Sequence, residues 1–483
     1  MPKCLITFSI LCYLVCTQNT YGQFTPTAPL PDAVSTKIAH DSSCLFLISG
    51  ITVIGNKRTK TYIILREMEL KRDSIVEGKL LFTKINQSRK LIYNTGLFNL
   101  VEIYPELSND TSLHLTVTVS ERWYIFPMPQ FQLADRNFNV WMQEHNGNLN
   151  RVIYGGKFTH YNVSGRRDQL RAMLLFGYAR NISISYSAPY SNKNLTEGFG
   201  FAASYIQNRE IPFKTNQDNK LSFVKSNHFL KKEYKVAASY MRRTGHYRKH
   251  TFGAGFIFSD VRDSIVSSKY NPNYYNSNKS YQNYPEFSYL FQYIDVDNVR
   301  YPLNGFSGSW GITKRGLEWK GGINALIFDG SVSRYLHFGK GWYGDFRLTG
   351  RLITPFEIAY VNQKALGYFE YYLRGLEYYV IDGPLSGLSR ITAKKHVFSF
   401  SIRNPFKWET LPDAPFAIYA KIFGDGGYVH QPKHLRTSLN NKLLYTWGAG
   451  IDIVSIYDTH LRIEYSFNQL KEKGLFLHTL VSF

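Results

Sequence analysis

The strongest constraint on this chain is an alternation of period two near its end. In HLRIEYSFN (460–468), Leu461, Ile463, Tyr465 and Phe467 fall on one side, and Arg462, Glu464, Ser466 and Asn468 on the other. Successive side chains of a strand point to opposite faces, so the run predicts one apolar and one polar face. Similar runs recur from residue 123 onward, where no helical period survives. They include VIYGGKFTHY (152–161), QLRAMLLFGYA (169–179), YKVAASYMR (234–242), WYGDFRLTGRLI (342–353), VFSFSIRNP (397–405) and APFAIYAKIFG (414–424). With QFQLAD near 130 there are about sixteen, and the segment between 215 and 232 is ambiguous.

Composition says where such a sheet can live. Aromatic residues make up 16% of the 483 residues and charged ones only 19%. The mean hydropathy, −0.27, is too polar for a bundle of membrane helices. It suits a barrel, because only every second barrel residue faces lipid. Beyond the N-terminus no uninterrupted apolar run reaches about 18 residues, so no helix is expected to span a bilayer. A chain of strands spans one only if its sheet closes. A soluble sandwich also alternates, but it does not set Arg and Glu opposite so aromatic a face. The expected fold is therefore mostly β: an antiparallel transmembrane β-barrel over 123–483, preceded by one small α/β domain. The formal net charge of +21 favours anionic partners. Nucleic acid is a poor reading, because the Lys and Arg are scattered and no basic helix or finger motif appears. An anionic membrane surface suits the charge as well.

Residues 1–22 read as a signal peptide. An apolar run from Cys4 to Cys16 precedes Thr20-Tyr21-Gly22, whose small residues suit a cut after Gly22. A lipoprotein site at Cys16 is the alternative, but Val15 beside it is bulky. Cleavage leaves Cys44 as the one cysteine, which excludes an intrachain disulfide and reads as a small hydrophobe. Residues 23–44, rich in Pro, Thr, Ala and Asp, look like a flexible lead-in. Residues 45–122 read as β-α-α-β-β. LFLISGITVI forms the first strand, and TYIILREMEL has helical spacing with Thr59 as a candidate cap. A second helix runs to Tyr93 and stops at Gly96, and a hairpin turns across Ser108-Asn109-Asp110.

That order, with Gly55-Asn56 after the first strand and Thr95-Gly96-Leu97-Phe98 entering the second, resembles the POTRA domain of outer-membrane assembly proteins. The resemblance implies a periplasmic docking module. The strand Phe98 to Tyr104 is the candidate edge on which an extended client adds; a plain spacer is the alternative. Further on, Leu373-Arg374-Gly375-Leu376 resembles the (V/I)RG(F/Y) motif in the sixth loop of the BamA/TamA superfamily. Phe423, Asp425, Gly427 and Val429 match that family's FxDxGxV strand, and YIDVDNVRYPLNGF (293–306) resembles its D-x-x-D-N strand turn. The resemblance implies that loop six, about 355–392, folds into the lumen and that Arg374 meets Asp425. Two departures matter. Leu376 replaces the usual aromatic, and VFSFSIRNP shows Ser401 and Arg403 where the family often carries a carboxylate. On the last strand Leu475, Leu477, Val481 and the terminal Phe483 share a face, which resembles the signal read by barrel-assembly machinery.

No catalytic constellation stands out, with no G-x-S-x-G, H-E-x-x-H or phosphate loop. No enzyme activity, cofactor or metal is expected. What the resemblance implies is a bacterial outer-membrane protein that helps insert barrel proteins or move polypeptides. Its partners would be outer-membrane lipid, unfolded barrel or secreted clients, and periplasmic or lipoprotein partners. Its gate would be the seam between the first strand, near Gln130 to Asp135, and the last, Gly474 to Phe483. The alternative is a passive pore or a dedicated single-substrate transporter with a POTRA spacer.

Overall fold

The computed structural model describes residues 30–133, 149–275, 279–318, 323–368, 370–402, 414–432, 435–455 and 459–480. The proposed signal peptide, Asp135, Arg403, Val481 and Phe483 lie outside these.

The N-terminal unit runs α1 (Asp32–His40), β1 (Leu45–Ile54), α2 (Thr61–Arg66), β2 (Ile75–Glu77), α3 (Gly78–Tyr93), β3 (Phe98–Asn109) and β4 (Ser112–Glu121). Its sheet has the order β2-β1-β4-β3, with β1 parallel to β4 and the other pairs antiparallel. A parallel pair needs a crossover, and the helices supply it. They cover one sheet face with Ile63, Ile64, Leu81, Ile85 and Ile92, packed on Phe46, Ile48, Leu113, Leu115 and Val117. Helix α3 stops where Gly96 takes φ +75°, the left-handed conformation glycine adopts freely. The long edge strand is β3, as its sequence suggested, and the three-residue β2 forms the other edge.

Three expectations are corrected here. The lead-in is not wholly irregular: α1 buries Val34 against the core of this unit. A three-residue strand, β2, lies between the helices, too short for any period to reveal it. Thr59 does not cap α2, which follows Lys60 and has no side-chain cap. Its hydroxyl instead meets the Tyr124 hydroxyl at 3.1 Å and accepts from Asn162 Nδ2 at 3.0 Å.

The remainder is a sixteen-stranded antiparallel sheet. In chain order it comprises β5 (Ile125–Leu133), β6 (Val152–His160), β7 (Gln169–Gly177), β8 (Ala179–Ala188) and β9 (Glu197–Asn208). The short β10 (Glu210–Thr215) and β11 (Leu221–Lys225) pair only with each other, which resolves the ambiguous segment as a separate hairpin. The sheet resumes with β12 (Lys231–Thr244), β13 (Arg248–Val261), β14 (Tyr281–Val296), β15 (Gly305–Arg315), β16 (Ala325–Gly339) and β17 (Trp342–Thr354). A long loop containing β18 (Lys364–Leu366) and β19 (Ile381–Asp382) leads to β20 (Leu385–Ile402). The set ends with β21 (Ala414–His430), β22 (Leu444–Val454), β23 (His460–Asn468) and β24 (Lys473–Leu480). Loop six is therefore shorter than the sequence indicated. It ends near 384, and 385–392 are strand; Ser386, Gly387 and Ser389 gave that stretch a loop-like composition.

The alternation separates the faces as expected. Phe199, Phe201, Tyr234, Val236, Trp310, Phe346, Leu348, Tyr445 and Trp447 project outward and are exposed. Inward positions such as Glu464, Ser466 and Asp452 are buried. Aromatic pairs such as Trp447 and Phe467, stacked at 4.2 Å, cross adjacent strands on the outer face.

The α/β unit is docked on the turns at one end of the barrel. Arg243 clamps Glu67 with Nη1 to Oε1 at 2.6 Å and Nη2 to Oε2 at 2.9 Å, and the Tyr190 hydroxyl donates to Glu67 at 2.7 Å. Arg66 donates to the Leu195 carbonyl at 2.6 Å. Asn94 donates to the Val296 carbonyl at 2.9 Å and accepts from the Val299 amide at 3.1 Å, while Lys90 meets Asp295 at 2.5 Å. Burial pushes the Glu67 carboxyl up. The pull of His246, whose Nδ1 lies at an ion-pair distance of 3.7 Å, and of Arg243 outweighs it and holds the carboxyl well below the usual carboxylate range.

Candidate functional site: loop six and the strand seam

The motif spacing in β21 follows from strand geometry. Phe423, Asp425, Gly427 and Val429 are alternate residues, so all four face the lumen, whereas Ile422 and Tyr428 face out and are exposed. The Asp425 carboxylate accepts the Arg374 backbone N–H at 2.9 Å and Nε at 2.9 and 3.1 Å, and Nη2 also donates to it. The guanidinium carbon lies 4.0 Å from the centre of the Phe423 ring, and Nη1 donates to Thr392 Oγ1 at 3.2 Å. Planar arginine is suited to this fork, and the ring face adds a cation–π contact.

Glycine sets the distances. At Gly427 a Cβ would sit 2.8 Å from Leu373 Cδ1, so the bare glycine leaves room for the leucine end against the wall. Gly375 has φ +92°, and a Cβ there would meet Ser466 Cβ at 2.8 Å. Asn468 Nδ2 donates to the Gly375 carbonyl at 2.8 Å. Leu373 and Leu376 are buried with Leu366, Ile381, Leu388, Val429, Leu439 and Leu444. This aliphatic cluster is why Leu can stand where the family motif has an aromatic: no ring is needed to fill the site.

The pair is one part of a larger network that the sequence reading limited to Arg374 and Asp425. Ser401 is not involved, because the residues of β20 level with the loop are Arg390 and Thr392; Arg403 lies outside the described residues. Arg390 pairs with Asp425 in register, its Nε 3.9 Å from the carboxylate, and its guanidinium lies over the Tyr372 ring. The further carboxylate comes from β23: Glu464 lies 3.8 Å from Arg374 Nη1 and 2.6 Å from Lys421 Nζ. Lys421 also meets Asp452 at 2.5 Å, and the Tyr301 hydroxyl donates to Asp452 at 2.8 Å. Tyr301 stands on the turn that holds Asn94 of the α/β unit. Alternation alone had placed Glu464 in the lumen; nothing in the sequence named its cation.

Loop six also holds the last strand. His478 of β24 meets Glu377 at 3.0 Å, lies 3.6 Å from Glu464 and stacks on Tyr372. Phe476 packs against Tyr378, ring centres 5.6 Å apart. Glu377, Glu464 and His478 bring three ligand-type atoms within 4.8 Å of one another, which is close enough to hold a metal ion. Lys421 and Arg374 on Glu464 oppose one. Leu475 and Leu477 project outward from β24 and are exposed.

Neighbouring strands of the sheet are joined in sequence from β5 to β24, but among the described residues β5 and β24 share no ladder. Their free edges differ. Tyr161 N–H donates to the Tyr124 carbonyl, in register with the β5–β6 ladder. Hydrogen-bonded pairs alternate along an antiparallel ladder, so even-numbered residues of β5 bond to β6 and odd-numbered ones face the seam. Two of those odd positions are Pro127 and Pro129, which have no N–H to donate. On β24 the Asn468 N–H to Glu472 carbonyl bond fixes the opposite set. Lys473, Leu475, Leu477 and Thr479 turn their backbone groups to the seam.

Comparison with known proteins agrees with this architecture. Residues 46–122 match the POTRA family model, described as surface antigen variable number repeat. No curated protein sequence matches the chain. Among solved structures, CdiB from Escherichia coli superposes with a TM-score of 0.53 at 12% identity, covering 90% of this chain and 75% of its own. BamA from Haemophilus ducreyi lacking POTRA domains 1–3 gives 0.49 at 13% identity, covering 90% and 84%. CdiB from Acinetobacter baumannii gives 0.48 at 10%, covering 90% and 73%. At these identities the likeness is one of fold, and it rests on the first of the three. Residues 46–122 form a POTRA domain, which a sixteen-stranded antiparallel sheet follows, and the chain as a whole shares its fold with CdiB.

Proposed function

We propose that this protein sits in the bacterial outer membrane with its POTRA domain in the periplasm, and that it assists insertion of barrel proteins or translocation of polypeptides. Clients dock on the free edge of β3 and exchange strands at the β5/β24 seam. The observation that carries this reading is the seam itself. It is the one junction between sheet neighbours without a ladder among the described residues, and Pro127 and Pro129 remove two donors from its β5 edge. An unpaired edge is a template for another strand. Client folding supplies the free energy, so no nucleotide or cofactor is required. The packed loop six and its charged network argue against a passive pore, because they fill the lumen beside β20–β24.

The test places a cysteine on β5 and one on β24, after Cys44→Ser, in the full-length protein in lipid vesicles. The oxidised protein should keep the heat-modifiable gel migration of a folded barrel and lose client assembly, with both restored by reduction. Full activity in the crosslinked state would sink the gate. Steady client-independent conductance would favour the pore.

A further inference from the structure

The outer wall of the barrel is graded at the end away from the POTRA domain. Ile184, Phe201, Val236 and Phe258 are exposed, so period two places Arg180, Gln207, Lys232 and Asp260 on the outer side of β8, β9, β12 and β13. The register sets these four in one row: Arg180 pairs with Gln207, Gln207 with Lys232, and Lys232 with Asp260. One pleat nearer the middle of the wall the row is Ile182, Tyr205, Tyr234 and Phe258, and the two tyrosine rings stack at 4.6 Å. The next row is Ile184, Ala203, Val236 and Phe256. The order apolar, aromatic, charged is that of a wall passing from hydrocarbon through an aromatic girdle to the headgroups.

The charged row opens on a cavity of about 370 Å³, lined among others by Arg209, His228, Phe229, Lys232, Asp260 and Arg262. Cations at a membrane surface ordinarily reach out into water; here they are gathered around one residue. The guanidinium carbons of Arg180 and Arg209 each lie 4.8 Å from the centre of the Phe229 ring. Arg262 Nε donates to the Phe229 carbonyl at 3.2 Å, and Arg180 Nη1 to Gln207 Oε1 at 3.3 Å. These partners are neutral, so they orient the groups and leave their charge. Arg209 Nε is buried with no hydrogen-bond partner, a rare state for a buried donor. Among the described residues, no carboxylate forms an ion pair with Arg180, Arg209, Lys232 or Arg262, and Asp260 is the one carboxylate in the lining. The surplus of positive charge therefore stands at the level of the headgroups.

We propose that this pocket seats the phosphate of a phosphorylated lipid in the outer leaflet. The proposal rests on the outer-membrane reading above. A phosphomonoester offers more charge and more acceptor oxygens than a diester, and guanidinium forks match its geometry. Free phosphate shares that chemistry. A lipid whose phosphate enters the pocket also lays its chains along Tyr205, Tyr234 and Val236, which the free ion cannot do.

The experiment reconstitutes the full-length protein in phosphatidylcholine vesicles containing either phosphatidic acid or phosphatidylglycerol, extracts it gently and reads the bound lipid by native mass spectrometry. A parallel arm adds inorganic phosphate in excess. The wild type should retain phosphatidic acid about tenfold or more over phosphatidylglycerol, as the stronger charge-assisted bonds imply. Arg209→Gln with Lys232→Gln should lose that preference while keeping the heat-modifiable migration of a folded barrel. Lys232→Gln with Arg262→Gln removes two exposed cations only, and should reduce the preference without touching the fold. The proposal fails if phosphatidic acid is not retained over phosphatidylglycerol, if both variants retain it like the wild type, or if inorganic phosphate binds and phosphatidic acid does not. Protein that inserts and folds in the vesicles yet retains no phosphatidic acid loses this site alone. Protein that does not float with the vesicles at all overturns the outer-membrane reading and the site with it.

Discussion

At the residue scale, Arg374 and Asp425 form a desolvated pair. The Asp425 side chain is fully enclosed and that of Arg374 only 9% exposed. Removing one partner strands the other in a site with little water. Arg374→Ala should therefore cost on the order of 3–5 kcal/mol of barrel stability, read as a lower urea midpoint for loss of the compact gel band. Arg374→Lys should fall between, because a point charge cannot make the fork. Gly375→Ala should cost more than about 1 kcal/mol, since its left-handed backbone and the nearby Ser466 both resist a methyl. The pair was legible because two short motifs carried it. Its surroundings were not. Lys421, Asp452 and Glu464 lie on three different strands, and period two tells which way a side chain faces but not what stands opposite.

Elements were legible in proportion to their regularity. The strong alternation of β12, β13 and β23 marked them, and β20 was half-missed where serine and glycine interrupt its first turns of pleat. The two prolines of β5 were visible from the start, but they had no meaning until the register with β6 showed which edge they face. They yield a prediction for the strand. Pro127→Thr with Pro129→Thr returns two donors, each worth about 0.5–1.5 kcal/mol once bonded. The variant should crosslink faster between β5 and β24 cysteines and assemble clients more slowly. Unchanged crosslinking would mean that the edge is not limited by its donors.

At the scale of the whole molecule, no motif signalled that POTRA and barrel are bolted together, because the bolt is made of residues far apart in the chain. Glu67 and Arg243 are 176 positions apart. The depressed Glu67 carboxyl sets the pH dependence of this bolt. Its contribution is fully present above the unfolded carboxylate value of about 4.3 and is lost as pH falls through the lower folded value. Docking, followed by protease cleavage at the junction, should hold from neutral pH down to about 5 and loosen only in stronger acid. Glu67→Gln should loosen it at neutral pH. From that junction a run of contacts leads inward, from Asn94 to the Val299 turn, to Tyr301, Asp452, Lys421, Glu464 and Arg374. The seam responds to the same geometry. Pro127 and Pro129 stand near the beginning of β5, next to the POTRA domain, while Phe131 and Leu133 keep their amides at the far end. A lip that is slippery at one end and adhesive at the other does not part evenly. Under the strand exchange proposed above it would split as a wedge whose apex is remote from the POTRA domain, and an arriving chain would meet the widest opening first.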